Sequence, residues 1–238
     1  MSGGVAGRRV GMIVPSGNIL AEDQVRAMMP AEIGLHVTRL KLKGSSAAEL
    51  DAMIADLPKA ADLLADARVD LIAFNCTAVS TRSRDADRTI TDEIARTTGI
   101  AAVTTAEALL AGLAVLGARS IVLVTPYIAS VVDAEAAYFR DHGLDVVEAV
   151  GAGIDSNWDM AQARPERWRE LLLAHRSARA DAYVLSCTAI RTHEIIGALE
   201  HEVGRPVLTS NQAIAWHATR KTGSSARLAG FGRLLAEY

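Results

Sequence analysis

Cysteine occurs twice in this chain of 238 residues, at Cys76 and Cys187, and both times it opens the tripeptide Cys-Thr-Ala. Each cysteine follows a short aliphatic run, residues 71–74 and 182–185, and so stands at the C-terminal end of an expected strand. Two thiols flanking one carbon can remove a proton on one side and deliver it on the other, or one can attack while its partner donates a proton. A helix starting just after a cysteine aims N–H groups and a positive dipole end at the sulfur, which favours thiolate over thiol and an anionic ligand nearby. A free thiol starts near pKa ~8.5, so even a modest downward shift supplies a nucleophile or base at neutral pH. Thr77 and Thr188 follow the cysteines and offer backbone N–H and hydroxyl donors that suit a carboxylate. A lone cysteine at a strand end is more often a small buried hydrophobe. Two in the same context at equivalent places weigh towards catalysis.

Those equivalent places come from an internal repeat. Residues 67–82 (ARVDLIAFNCTAVSTR) align with 178–193 (ARADAYVLSCTAIRTH) at an offset of 111, with seven of sixteen positions identical. Residues 9–15 (RVGMIVP) parallel 119–126 (RSIVLVTP), and 99–105 (GIAAVTT) parallel 204–210 (GRPVLTS). Strands are expected at 10–14, 35–42, 71–74, 101–104, 120–124, 145–149, 182–185 and 207–209. Helices are expected between them, at 20–29, 47–67, 89–97, 106–116, from 127 through 140, 164–175, 193–202 and 211–221, with a loop over 151–157 and Gly117 closing one helix. This alternation means parallel sheets built from βαβ units. The expected fold is α/β: two pseudo-twofold-related halves, each on a parallel sheet, with the active site in the cleft between them. Residues 9–116 plus 212–238 would form the first half and 117–211 the second, the helix after Ser210 crossing back onto the first.

Composition narrows the function. Half of the residues are hydrophobic, 22% are charged and only 4% are aromatic, which describes an ordinary globular chain with an aliphatic core. A net charge of −3 without a dense Lys/Arg stripe gives no footprint for nucleic acid. The Gly/Ser-rich residues 1–8 lack the apolar run of a signal peptide, and the longest aliphatic stretches are strand-sized, so no membrane span is expected and the cytoplasm is the expected compartment. In that reducing setting the two cysteines are expected as free thiols. No His or Cys lies at metal-ligand spacing beside either, and Gly151-Ala152-Gly153 lacks the context of a nucleotide loop, so neither metal nor cofactor is expected.

Taken by residue type, other candidates stay open. Asn18 after Val-Pro-Ser-Gly reads as a turn residue or helix cap as readily as a ligand donor. Tyr127, at the matching place in the second half, fits packing or binding, and Asn157 fits a turn or binding. His193 and His217 read as solvated or core positions, and Arg82, Arg84 and Arg88 as a solvated helical face.

The ordered set of Gly-Met-Ile-Val-Pro-Ser-Gly-Asn at the start, Asn-Cys-Thr-Ala, Val-Thr-Pro-Tyr, Ser-Cys-Thr-Ala and Ile-Asp-Ser-Asn followed by Ala-Arg-Pro resembles the maleate isomerases, over nearly the whole chain. They share the Asp/Glu racemase superfamily fold with arylmalonate decarboxylases, hydantoin racemases and Asp/Glu racemases, two α/β halves with the site between them. The decarboxylases are similar in the opening strand, around Tyr127 and in the Gly-Phe-Gly-Arg-Leu ending at residues 230–234, but they carry glycine where this chain has Cys76. The resemblance implies a cofactor-independent isomerase of a small unsaturated dicarboxylate. Cys76 would add to the double bond, Cys187 would serve as acid and base, and Asn18, Tyr127 and Asn157 would hold the carboxylates. Pro15, Ser16, Thr77, Ala78, Thr188 and Ala189 belong to the matched motifs and complete the implied substrate-binding set. A homodimer is also implied. Ile19 and Leu20 depart from the family's more polar pattern and suit a substituted or larger substrate. A two-base racemase is the alternative, followed by a decarboxylase or a silent carboxylate-binding relative.

Overall fold

The computed structural model describes residues 7–42 and 46–238, so residues 1–6 of the Gly/Ser-rich start and 43–45 of the first expected half lie outside the described residues. Within it, β1 (Arg9–Pro15), α1 (Ala21–Ala27), β2 (Gly34–Leu40), α2 (Ala47–Ala55), α3 (Leu57–Asp66), β3 (Leu71–Phe74), α4 (Thr77–Ser80), α5 (Ala86–Thr98), β4 (Ala102–Thr104) and α6 (Thr105–Val115) are followed by a second round. That round runs β5 (Ser120–Thr125), α7 (Ala129–Asp141), β6 (Asp145–Gly151), α8 (Asn157–Gln162), α9 (Pro165–Ala174), β7 (Ala182–Leu185), α10 (Ile196–Val203), β8 (Val207–Thr209), α11 (Ser210–Lys221) and α12 (Gly232–Glu237).

Each round makes one four-stranded sheet with every pairing parallel, in the orders β2-β1-β3-β4 and β6-β5-β7-β8. The central strands are buried on both faces, which explains their unbroken apolar runs. The repeat is reproduced at its anchor points. Asp70 accepts the Arg9 N–H at 2.7 Å, and Asp181, at the 111-residue offset, accepts the N–H groups of Arg119 and Ser120 at 3.0 Å.

Strand order reverses between β1 and β3 and again between β5 and β7. The crevice outside the strand ends at such a switch point is where open α/β sheets place ligands. The loops leaving β1 and β5 carry Asn18 and Tyr127, and those leaving β3 and β7 carry the two cysteines. The helix that follows the fourth strand of each round, α6 and α11, starts on a threonine cap. Thr104 Oγ1 accepts from the Glu107 N–H, and Thr209 with Gln212 forms a reciprocal capping box. These helices pack on each other, α11 also touches α1, and His217 on α11 meets Glu107 on α6 at 3.0 Å.

The helix expected over 47–67 is two, broken at Asp56, where Pro58 opens α3. No helix follows Cys187 directly: residues 188–190 turn, and α10 begins only at Ile196. Part of the expected loop over 151–157 gives way to α8, and α12 adds a short helix after the last expected one.

Candidate active site

Both cysteines are free and buried, Cys76 at 4% and Cys187 at 3% exposure. Cys76 has extended backbone and stands at the N-cap of α4, where the Val79 N–H acts to lower its thiol pKa. The Cys187 sulfur accepts the Ala189 N–H at 3.2 Å within its turn and lies 3.9 Å from Met160 Sδ. Each thiol is thus met by a backbone N–H two or three residues further on.

Burial nevertheless dominates both sulfurs. It pushes the Cys76 thiol up to about 12, against the lowering by Val79, and Cys187 adds to the rise. Cys187 is pushed up to about 12 for the same first reason, against hydrogen bonds from Tyr127 and the Ala189 N–H, with Glu135 adding to the rise. The expectation of a lowered thiol pKa is therefore reversed: α4 is one turn long, Cys187 has no helix behind it, and desolvating a thiolate outweighs one N–H each. The resting site holds two neutral thiols. Tyr127 is buried against Cys187, with its phenol raised well above its ordinary value by burial and by both sulfurs and Glu135.

Asn18 is 1% exposed and works at both ends. Its Oδ1 accepts the N–H groups of Leu20 and Ala21 at 3.0 Å, and its Nδ2 donates to Thr188 Oγ1 at 3.0 Å, across from one half to the other. Thr77 Oγ1 donates to Ser210 Oγ at 2.9 Å, and the Cys187 N–H donates to the same oxygen at 3.0 Å, so the start of α11 ties both cysteine loops together. Ala78 and Ala189 are buried beside their cysteines, and Pro15 is buried at the end of β1. Ser16 is exposed and exchanges hydrogen bonds with the backbone of Leu42. Asn157 is half-buried at the first position of α8, with Nδ2 at 3.5 Å from the Leu42 carbonyl, which also accepts the Gly17 N–H. The structure therefore joins Asn18, Cys76, Thr77, Tyr127, Cys187 and Thr188 in one closed centre, and sets Ser16 and Asn157 together on Leu42 at its edge.

A buried polar frame lies behind this centre. Thr105 Oγ1 donates to Asn75 Oδ1 at 2.9 Å, Asn75 Nδ2 to Asn211 Oδ1 at 3.0 Å, and Asn211 Nδ2 to Gln24 Oε1 at 3.1 Å and the Thr188 carbonyl at 3.0 Å. Gln24 Nε2 closes the frame on the Ile190 carbonyl at 2.8 Å. Arg39 fixes the β1 loop from outside by donating to the Asn18 carbonyl at 2.8 Å while pairing with Glu22. Composition and periodicity do not single these residues out, because in a helix pattern they read as solvent-facing. The available signal was position: Asn75 immediately precedes Cys76, and Ser210 and Asn211 follow the repeated strand β8. Among the described residues no group of three His, Cys, Asp or Glu side chains is placed to hold a metal ion, and no helix is long and apolar enough to cross a membrane.

Residues 10–235 match the family model for arylmalonate decarboxylase. A maleate isomerase of Geobacillus stearothermophilus is 26% identical, covering 96% of this chain and 97% of that protein. The crystal structure of the maleate isomerase Iso from Pseudomonas putida S16 superposes with a TM-score of 0.93 at 26% identity, over 98% of this chain and 99% of that one. A Nocardia farcinica maleate cis–trans isomerase variant, solved with a covalently bound succinylcysteine intermediate, gives a TM-score of 0.94 over 98% and 100% of the two chains. At 24% identity that last match speaks for the fold.

Proposed function

The chain belongs to the arylmalonate decarboxylase family, and from that membership and its paired thiols we propose that it is a cofactor-independent cis–trans isomerase of a small unsaturated dicarboxylate, of the maleate-to-fumarate type. The observation that carries this reading is the second thiol: each half brings a buried cysteine to the same centre, near enough for Cys76 to feel the charge of Cys187. The maleate isomerase relatives, alike over almost their full length, support the same substrate class.

In the proposed reaction Cys76 gives its proton to solvent and the resulting thiolate adds to one alkene carbon. The C–S bond forms, the π pair moves to the neighbouring carbon, and the Cys187 thiol protonates that carbon. The former double bond is now single and rotates. The Cys187 thiolate then takes back a proton from the same carbon, the C–S bond breaks and the trans isomer leaves, and the Cys76 thiolate regains a proton from solvent, so protons and thiols return to their starting state. Asn18, Tyr127 and Asn157, with Thr77 and Thr188 and the backbone around Pro15, Ser16, Ala78 and Ala189, are proposed to hold the carboxylates and the charge that develops on them. Ionising a thiol held at about 12 costs roughly 7 kcal/mol at pH 7, which fits within the barrier of about 15 kcal/mol of an ordinary turnover rate.

Two free thiols suit a reducing compartment, which supports the cytoplasm, and the family resemblance supports a homodimer. We assign residues 9–116 with 212–238 to one half and 117–211 to the other, a division supported by α11 lying on α1 and α6. The near-symmetric thiols also favour a second reading, a two-base racemase of a chiral acid.

The test is maleate consumption by the purified protein under reducing conditions, followed by proton NMR. Turnover to fumarate is expected, with loss of at least a thousandfold in Cys76→Ala and in Cys187→Ala, as for removal of a nucleophile or its acid–base partner. Fumarate formation that survives both substitutions would overturn the thiol mechanism. Absence of maleate turnover together with solvent deuterium entering Cα of a chiral acid would move the racemase reading to the front.

A further inference from the structure

The two thiols sit in repeated surroundings, yet what stands behind them differs. Glu135, on α7, is completely buried; one carboxylate oxygen accepts from the Ser186 hydroxyl, and Oε2 has no partner. Ser186 immediately precedes Cys187. At the same offset of 111 residues the first half has Gln24 for Glu135 and Asn75 for Ser186. There the neutral amide of Gln24 is engaged through Asn211 with Asn75, just before Cys76. The duplication thus places a neutral amide behind one cysteine and an ionisable carboxyl behind the other.

Titratable groups around Glu135 are few. Cys187 and Tyr127 feel its charge, with Cys76 beyond them. On β6, the strand packed against α7, Glu148 turns outward to His175 and Asp145 to Arg179. On α7 itself Asp133, Arg140 and Asp141 are exposed, and Tyr138 donates to Asp87 of α5. Among the described residues no cation pairs with Glu135.

We infer that Glu135 is a positioning residue for Cys187: its carboxylate holds the proton on that thiol and so makes Cys187 the acid and Cys76 the nucleophile. A negative charge close behind Cys187 in a dry interior disfavours a second negative charge on its sulfur. This repulsion works against the Tyr127 and Ala189 hydrogen bonds at the Cys187 sulfur and biases the pair towards thiol at Cys187 and, once one ionises, thiolate at Cys76. After Cys187 has given its proton to the adduct, the same repulsion makes the remaining thiolate a stronger base. It takes the proton back and the C–S bond breaks, so the adduct does not accumulate. Burial pushes the Glu135 carboxyl up to about 7, against the lowering by Ser186, so this influence switches on around neutral pH. The assigned roles rest on the isomerase reading; the effect on the Cys187 thiol needs no substrate.

The test is the S–H stretching band of Cys187, followed by Raman spectroscopy in Cys76→Ala protein, where it is the single thiol. Between about pH 5.5 and 8.5 the band is expected to shift with a midpoint near 7 as Glu135 ionises. Adding Glu135→Gln, which preserves a partner for Ser186, should abolish that shift and lower the pH at which the S–H band disappears by about one unit, a tenfold gain in thiolate. A purely packing role for Glu135 leaves the band without a step near neutrality. A band that stays constant across that range in Cys76→Ala protein overturns the inference, even if the Glu135→Gln variant does not fold. Failure of maleate turnover would leave this result standing and count against the isomerase reading alone.

Discussion

A carboxyl at about 7 in the folded chain, against its ordinary value of 4.5, has a cost that depends on pH. Below about pH 4 Glu135 is protonated in both states and the penalty vanishes. As the pH rises the unfolded chain ionises first, and above 7 the fold has lost roughly 3 kcal/mol. Glu135→Gln is therefore expected to match the parent in urea unfolding near pH 4 and to gain on it steadily up to about pH 7.5. A difference constant with pH would mean that Glu135 does not change protonation on folding. Such a burden in the second half alone, where Gln24 serves the first, accords with a functional demand. At this scale the thiols were legible in the sequence because a repeated Cys-Thr-Ala marks them. Glu135, Gln24, Asn75 and Asn211 were not, since hydrogen bonding inside a core, and not residue type, makes them part of the site. The protonation state of the thiols was misread for the same reason: burial is a property of the folded surroundings.

The elements that carry the site meet with little slack. A Cβ on Gly151, at the end of β6, would lie 2.3 Å from the Tyr127 carbonyl oxygen and 2.7 Å from Val132. Residues 152–154 then donate to the carbonyls of Thr125, Tyr127 and Pro126, so the edge of the sheet braces the loop that presents the phenol to Cys187. Gly151→Ala is expected to cost about 2 kcal/mol, roughly 4–8 °C in Tm, by overpacking. It should also lower kcat/KM by more than tenfold, since the Tyr127 loop must move to relieve the contact. Lost stability with unchanged kinetics, measured on protein still folded at the assay temperature, would show that Tyr127 tolerates displacement. The strands themselves were legible, because strands covered on both faces are written as continuous apolar runs between turn residues. Short pieces such as α4, α8 and α12 span six residues or fewer and are too short for helical periodicity to show. The break at Asp56 did have a signal, Pro58, which an uninterrupted apolar pattern on both sides of it obscured.

Across the whole molecule the centre is closed. Asn18 reaches Thr188 beside the thiols and Gln24 reaches Ile190 in the frame behind them, so hydrogen bonds span the halves around the centre, while Ser210 holds both cysteine loops from α11. With Cys76 at 4% and Cys187 at 3% exposure, a dicarboxylate must displace surrounding groups to reach the sulfurs. Opening therefore precedes binding, and closing afterwards desolvates the substrate among the donors. The repeat makes this one event for both thiols, because the two faces that separate are equivalent loops of two equivalent halves. Alkylation of the wild-type protein by iodoacetamide should accordingly rise with reagent concentration and then level off, at a single rate common to Cys76 and Cys187 and set by opening. Gln24→Ala, which removes one tie between the halves without touching a thiol, should raise that plateau for both cysteines by about tenfold, as loss of a buried hydrogen bond worth about 1.4 kcal/mol would. Rates that stay proportional to reagent, with a different slope for each cysteine in peptide mass spectra, would mean that the thiols are reached separately and that the halves do not part as units.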